Sequence, residues 1–428
     1  MRLPHATALV IGTIIGASIF VQPSEVTTQV HSVQAVLLVW LLSGAVTLIG
    51  ALICAELAST FTRTGGVYVY LSEGLHPALG FLWGWAMLLT MHSGILAAIA
   101  TVFARYTGFF VPLDATGSRI VAIGVIIVLS AINYVGVQHG ARLQTIFTVG
   151  KVLAVLLIVL LGFALGGRVD QHFVGSSTAQ GETLGGFLRA MVAGLFTYGG
   201  WHMVTYSSEE TVDPARTIPR ALVIGTIAVT VAYMAMNAVY LYVMPLDTVA
   251  GSSRVAADLA DTLLGSGGAG VMSVIVMFST FGGLTGIILA GPRVYYAMAQ
   301  DGLLFRWFGE LHPRYRTPHR AIVLQAIWAS VLVATGTFRA LFTRVVYTEW
   351  LFFGLLAVAL MLLRRRSDLT RKYSIWGYPV LPLLFAFASF AIVINTLIAE
   401  PKDAAIGLSL VLIGWPIYLL WGRKLRAI

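Results

Sequence analysis

Apolar runs of about twenty residues recur along the chain, and that length is what an α-helix needs to cross a bilayer. Twelve such runs can be marked out: His5 to Val26, Val33 to Phe61, Pro77 to Pro112, Arg119 to Val137, Arg142 to Gly166, Leu184 to Ser208, Ile218 to Met244, Gly270 to Gln300, Ala321 to Gly336, Val345 to Leu363, Val380 to Ile398 and Ala405 to Trp421. The third is long enough to lie tilted. A polar loop, Gly167 to Thr183, precedes the sixth, and a short surface helix, Val255 to Leu264, fits between the seventh and eighth. Only 11% of the 428 residues are charged, against roughly 25% in soluble domains. The chain reads as an all-α polytopic membrane protein. Its first run starts almost at Met1 with no small-residue cleavage site after it, so it is read as a span and not a signal peptide.

The net charge of +9 is explained by topology. With the N-terminus placed inside, eighteen of the 27 Lys and Arg fall on the inner side and eight on the outer, leaving Lys151 within a span. That bias places both termini in the cytoplasm and makes nucleic acid unnecessary as a partner. The single cysteine, Cys54, lies in an apolar run, so no intramolecular disulfide is possible and no loop cysteine can tether a partner.

Within the first span, Val10 to Val21 carries Gly12 and Gly16 around a β-branched run, followed by Ala17 and Ser18. A glycine weakens a helix interior by about 1 kcal/mol relative to alanine. Two readings are open. Gly12 and Gly16 form a GxxxG pair that lets helices approach closely. Alternatively the helix opens here, which a bilayer tolerates where the backbone lines a cavity. A second glycine break in the sixth span, Phe196-Thr197-Tyr198-Gly199-Gly200-Trp201, favours the latter. Interrupted segments at corresponding positions of two halves point to a transporter site between inverted repeats.

Few side chains could carry chemistry. Lys151 lies in the fifth span, toward its cytoplasmic third, either snorkelling to the interface or meeting opened carbonyls of the first span as a fixed cation or proton carrier. Glu209 and Glu210 close the sixth span, as an acidic helix end or as a gate pairing with Arg63 or Arg142. Glu56 and Glu349 are deep carboxylates; Glu349, beside Trp350, could face a substrate path or serve packing. His92 and His202 are the histidines well inside spans. No metal-ligand spacing, nucleophile–base pair or phosphate loop is present, so neither a metal, a cofactor nor an enzyme activity is expected.

Several motifs occur together in one order. They are Ile14-Ile15-Gly16-Ala17-Ser18-Ile19-Phe20; Ala55-Glu56-Leu57-Ala58-Ser59 with Gly65-Gly66-Val67-Tyr68; Ile132-Asn133-Tyr134-Val135-Gly136-Val137 leading through Arg142-Leu143-Gln144 to Lys151; Phe196 to Trp201 leading to Glu209-Glu210, Pro214 and Ile218-Pro219-Arg220-Ala221; and Arg293 to Gly302 followed by His312-Pro313 and Thr317-Pro318. In this order the chain resembles the amino acid–polyamine–organocation superfamily and, within it, the L-type amino acid transporter family. The resemblance implies the leucine-transporter-type fold, a 5+5 inverted repeat with twelve transmembrane helices, of which helices 1 and 6 are broken. The repeats would be residues 1–166 and 184–364, with 378–424 forming the two peripheral helices.

The resemblance also implies a site. Backbone at Gly16, Ala17 and Ser18 would take the substrate α-carboxylate, carbonyls near Ile14, Phe196 and Gly199 the α-amine. Phe196 would gate the pocket, with Thr197 and Trp350 lining it. Lys151 would occupy the place of a sodium ion, making sodium unnecessary. A half-helix N-terminus favours an anion by about 0.3–1 kcal/mol, up to ~2 when partly buried, so a zwitterion can be held without charged side chains. Ser18 stands where the motif usually has glycine, and His202 where animal relatives often have asparagine. With no cysteine in the loop between spans three and four, the family's disulfide-linked heavy chain cannot attach. The expectation is a self-sufficient bacterial inner-membrane antiporter of neutral L-amino acids, working by alternating access. A proton-coupled symporter of the same fold is the alternative, an amino acid sensor a lesser one, and a channel lacks any filter sequence.

Overall fold

The computed structural model describes residues 1–135, 137–167, 169, 183–265 and 267–425, with only the helical path given along 137–146 and 421–425. No strand occurs among them. The predicted loop Gly167 to Thr183 and Arg142 thus fall largely outside the described side chains.

The first span is two pieces. Helix α1, Leu3–Ile14, stops at Ile15, and the chain runs through Gly16 and Ala17 into a 3-10 turn, Ser18–Phe20, and a short helix α2, Gln22–Thr27. Helix α3, Val33–Thr60, follows, capped by the Ser32 hydroxyl accepting from Ala35 N–H. A short helix α4, Val67–Gly74, lies before the third span. That span comprises α5, Pro77–Ala86, a π turn over Met87–Met91, and α6, His92–Thr107. The π turn frees carbonyls that side chains take up: Trp328 Nε1 donates to Leu89 O at 2.7 Å and Ser93 Oγ to Leu88 O at 2.6 Å. Helices α7, Ala115–Val135, and α8, Val137–Leu165, complete the first half.

The second half opens with α9, Leu184–Thr197, which breaks at Tyr198–Gly200 and resumes as a 3-10 helix, Trp201–Glu210. Next come α10, Pro214–Val243, the small helices α11, Leu246–Gly251, and α12, Val255–Leu264, then α13, Gly268–Gln300. Helices α14, His319–Thr335, and α15, Phe338–Leu363, precede α16, Val380–Ala399. The last run is divided into α17, Pro401–Leu412, and α18, Gly414–Leu425.

Among the described residues, nine helical segments are long and apolar enough to cross a membrane. The other three of the twelve runs are the two broken ones and the 17-residue α14. The tenth span starts at Phe338 instead of Val345. Arg339 and Arg344 interrupt the apolar pattern there, yet Arg344 is held by Asp403, and Arg339 by Glu25 and Glu400 at 3.6 Å each, so the helix continues through them.

Glu56 anchors one end of the bundle. Its fully buried carboxylate accepts from Arg364 Nε at 2.7 Å, Arg364 Nη2 at 2.6 Å and the Ile375 N–H at 2.8 Å. This bidentate pair fixes the segment after α15 against α3. The arginine also lies 4.0 Å over the Tyr378 ring.

Candidate functional site

The two broken helices face each other. Gly200 has φ +98°, and a Cβ there would stand 2.8 Å from Thr13 O. Only glycine lets the second break approach the first this closely. The two glycines of the first span do different work. A Cβ on Gly12 would meet Thr148 Oγ1 at 2.3 Å, so Gly12 is a packing glycine between α1 and α8. A Cβ on Gly16 would meet nothing nearer than Ile14 O at 3.9 Å, so Gly16 is where the chain opens into space. Among the described residues the N–H groups of Gly16, Ala17 and Ser18 have no backbone acceptor, and all three residues are buried. Ala17 is fully inaccessible and Ser18 6% exposed.

Lys151 sits against this opening. It is the fifteenth of the 29 residues of α8, at mid-helix and deeper than its predicted place in the inner third, because α8 begins at Val137 instead of Arg142. Its side chain is 1% exposed, and Nζ donates to Gly12 O at 3.0 Å and Ile15 O at 3.1 Å. The snorkelling alternative is overturned: the ammonium replaces helical donors that these carbonyls lost when the helix stopped. Tyr233 was not singled out from sequence, yet its hydroxyl reaches both breaks. Ile14 O lies 2.9 Å from it and Thr197 O 3.3 Å. With one proton and two acceptors, the hydroxyl can donate fully to only one of these carbonyls at a time. Tyr233→Phe is expected to lower stability by about 1 kcal/mol, read as a reduced thermal unfolding midpoint. An unchanged midpoint would make Tyr233 a packing ring only.

Phe196, 7% exposed at the end of α9, lies with its ring centre 5.5 Å from Phe342, which packs on Phe338 at 5.3 Å. Arg105 lies 4.9 Å over Phe338. Beyond these rings Arg339 joins Glu25 and Glu400, and Arg189 Nε donates to Gln29 Oε1 at 2.9 Å, leaving a cavity of only 20 Å³. The opposite side is open. A 460 Å³ vestibule reaches from Met1, Glu210 and Arg293 to Thr13, Thr148 and Tyr206. Thr197 is buried, its hydroxyl returned to Ala193 O, and Gly199 N–H bonds Phe196 O at 3.0 Å. Trp350 is buried on α15, with ring contacts to Phe353 at 5.8 Å and Phe385 at 5.5 Å.

The predicted pairing of Glu209 or Glu210 with Arg63 is corrected. Glu209 Oε1 accepts from the Thr64 N–H at 3.1 Å, and Glu210 pairs with Arg293 at 3.3 Å. Arg63 pairs instead with Glu73 at 3.2 Å, and Arg142 lies outside the described side chains. Further in, His202 is ringed by Trp83, Trp201, Tyr206 and Phe353, and His92 lies 6.4 Å from Tyr206. Both histidines' ring nitrogens and Glu349 Oε1 are buried without protein partners. Among the described residues no three His, Cys, Asp or Glu are grouped as a metal requires.

A buried lysine at two facing helix breaks, open to a vestibule on one side and sealed by rings and ion pairs on the other, fits a membrane carrier for a small polar solute. The sequence comparisons narrow the class. The amino acid permease profile matches residues 2–420, and the chain belongs to that family, among the L-type transporters of the amino acid–polyamine–organocation superfamily. The human large neutral amino acids transporter small subunit 2 is 32% identical over 438 residues, covering 99% of this chain and 81% of that protein. The serine/threonine exchanger SteT of Bacillus subtilis is 31% identical over 430 residues, covering 99% and 96%. The human cystine/glutamate transporter is 29% identical over 436 residues, covering 100% and 86%. The protein is an amino acid transporter.

Proposed function

We propose that it exchanges neutral L-amino acids by alternating access, without sodium, enzyme chemistry or an attached heavy chain. The proposed setting is a bacterial inner membrane with both termini in the cytoplasm, so the open vestibule faces inward. Residues 1–166 and 184–364 act as the inverted repeats and 378–424 as the periphery. The substrate carboxylate docks on the N–H groups of Gly16, Ala17 and Ser18. Its ammonium docks on carbonyls near Ile14, Phe196 and Gly199, the Ile14 oxygen keeping a second lone pair beyond Tyr233. Phe196 closes over it, and Thr197 and Trp350 shape the side-chain pocket.

The observation that carries this reading is Lys151. A fixed positive charge held on the α1 carbonyls by two hydrogen bonds supplies what a bound cation would otherwise supply there. The apolar rings of Phe196 and Phe342 favour neutral side chains. Binding of roughly −8 to −4 kcal/mol, micromolar to millimolar, suffices for a carrier that must release its substrate.

The test is uptake of labelled neutral amino acid by purified protein in liposomes, with and without amino acid inside and across sodium or pH gradients. Exchange requires internal amino acid and ignores both gradients. The unpartnered Oε1 of Glu349 and ring nitrogens of His92 and His202 favour proton symport as the second reading. Uptake into empty liposomes that follows an inward pH gradient would replace the first reading with the second.

A further inference from the structure

We propose that a cavity beside the start of α10 binds the headgroup of an anionic phospholipid, one molecule per chain. The cavity measures 440 Å³ and is walled by Arg216, Arg220 and Ile224 on one side and Lys372, Tyr373 and Trp376 on the other, over a floor at Leu52. It lies apart from the substrate site, near the cytoplasmic end of the bundle in the proposed orientation.

The wall on α10 is a single stripe. Arg216, Arg220 and Ile224 are spaced i, i+4, i+8, so they stand above one another on one helix face. Chemistry along the stripe changes from cation to exposed apolar, Ile224 being 48% exposed. This is the order in which a phospholipid presents phosphate and then acyl chain. The opposite wall repeats it in kind: Lys372 supplies a cation, and Trp376, 70% exposed, an amphipathic ring suited to the interface.

The cations here are uncommitted, unlike their neighbours. Arg364 is spent on Glu56, Arg366 on Asp368, and Arg371 on the carbonyls of Leu363 and Arg366. Among the described residues Arg220 and Lys372 have no side-chain ion pair or hydrogen bond. Arg216 has only Asp213, 3.8 Å away on an exposed surface, a contact of little strength. Three cations around one cavity with a single weak counter-charge call for an anion, and the apolar floor calls for a chain attached to it. Pro219 adds an acceptor: lacking an N–H, it leaves the Ala215 carbonyl at the cavity wall without its helical donor, a partner for a headgroup hydroxyl.

The cavity is built into the fold. Its loop wall is pinned to α3 through Ser59, whose hydroxyl accepts from the Tyr373 N–H at 3.2 Å, and through Glu56 with the Ile375 N–H. The segment therefore holds Tyr373 and Trp376 in place before any lipid arrives.

The experiment is native mass spectrometry of the full-length protein in detergent, titrated with phosphatidylglycerol, with phosphatidylcholine, and with inorganic phosphate. One phosphatidylglycerol is expected to stay bound per chain, with neither phosphatidylcholine nor phosphate competing at equal concentration. The Arg220→Gln/Lys372→Gln pair should weaken it about 30-fold, at ~1 kcal/mol per cation removed. An Arg306→Gln/Lys402→Gln control should leave it unchanged. If the first pair fails to fold, Lys372→Gln alone, on an exposed loop, should still weaken binding about fivefold. Equal retention of phosphatidylcholine, displacement by inorganic phosphate, or undiminished binding in the Lys372 variants would each overturn the proposal. None of these readouts depends on transport, so failure here leaves the exchange reading untouched.

Discussion

Lys151→Met is expected to abolish amino acid exchange, leaving less than a hundredth of the wild-type rate, and to lower thermal stability. Methionine keeps the length and apolar stem of lysine and removes only the ammonium. Two hydrogen bonds vanish, to Gly12 O at 3.0 Å and Ile15 O at 3.1 Å. Hydrogen bonds to a charged group contribute about 1.5–3 kcal/mol each, and the carbonyls left behind are buried. A loss of roughly 3–6 kcal/mol at the point where α1 opens covers the about 2.8 kcal/mol that a hundredfold rate change requires, since tenfold is about 1.4 kcal/mol. Lys151→Arg should fare little better. Its planar guanidinium needs width, whereas the Lys151 side chain is 1% exposed and its Nζ is already held at 3.0 and 3.1 Å by two carbonyls. The measurement is counterflow in liposomes with the thermal unfolding midpoint taken beside it. A Lys151→Met carrier that exchanges at more than a tenth of the normal rate would show that the broken helix holds its shape without the cation.

Much of this arrangement could be read before any coordinates, and the parts that could not share a cause. Span positions follow from hydropathy, and the two breaks from glycines in otherwise apolar helices. Even the small helix Val255–Leu264 was legible as a short helix between the seventh and eighth spans. Lys151 stood out because a lone charge in a span needs a reason. What local pattern cannot carry is the identity of the partner. Gly12 and Gly16 are the same residue four apart, and only Thr148 across the interface makes one a packing position. Glu209 and Glu210 advertise acceptors, but whether Arg63, Arg293 or a backbone N–H answers depends on how the helix ends pack. Tyr233 was hidden for the same reason: a tyrosine in an apolar helix resembles any core ring until its hydroxyl is found between the two breaks. The π turn at Met87–Met91 has no glycine or proline to announce it. The pocket role of Trp350 came from resemblance alone; of its ring contacts Phe353 is on its own helix and Phe385 connects it to α16.

Gly16→Ala should separate binding from folding more cleanly than any other single change. Alanine at Gly12 would press on Thr148 Oγ1 at 2.3 Å, and alanine at Gly200 would sit at φ +98° with Thr13 O at 2.8 Å, so both disturb the protein itself. At Gly16 the added methyl meets no protein atom closer than 3.9 Å, and no positive φ is imposed. The fold should accept it, with an unfolding midpoint within a degree or two of wild type. What the methyl does occupy is open space at the break, where the N–H groups of Gly16, Ala17 and Ser18 have no backbone acceptor among the described residues and that of Gly16 meets the Tyr233 hydroxyl. If the substrate carboxylate docks there, it must retreat from donors placed for it, and crowding of this kind costs about 1–3 kcal/mol. Affinity for a neutral amino acid should then fall roughly tenfold to a hundredfold, measured by calorimetry or by substrate-induced thermal shift on purified protein. Unaltered affinity with unaltered stability would move the carboxylate site away from this opening, because the one variant that fills the space without straining the chain would have left the ligand undisturbed.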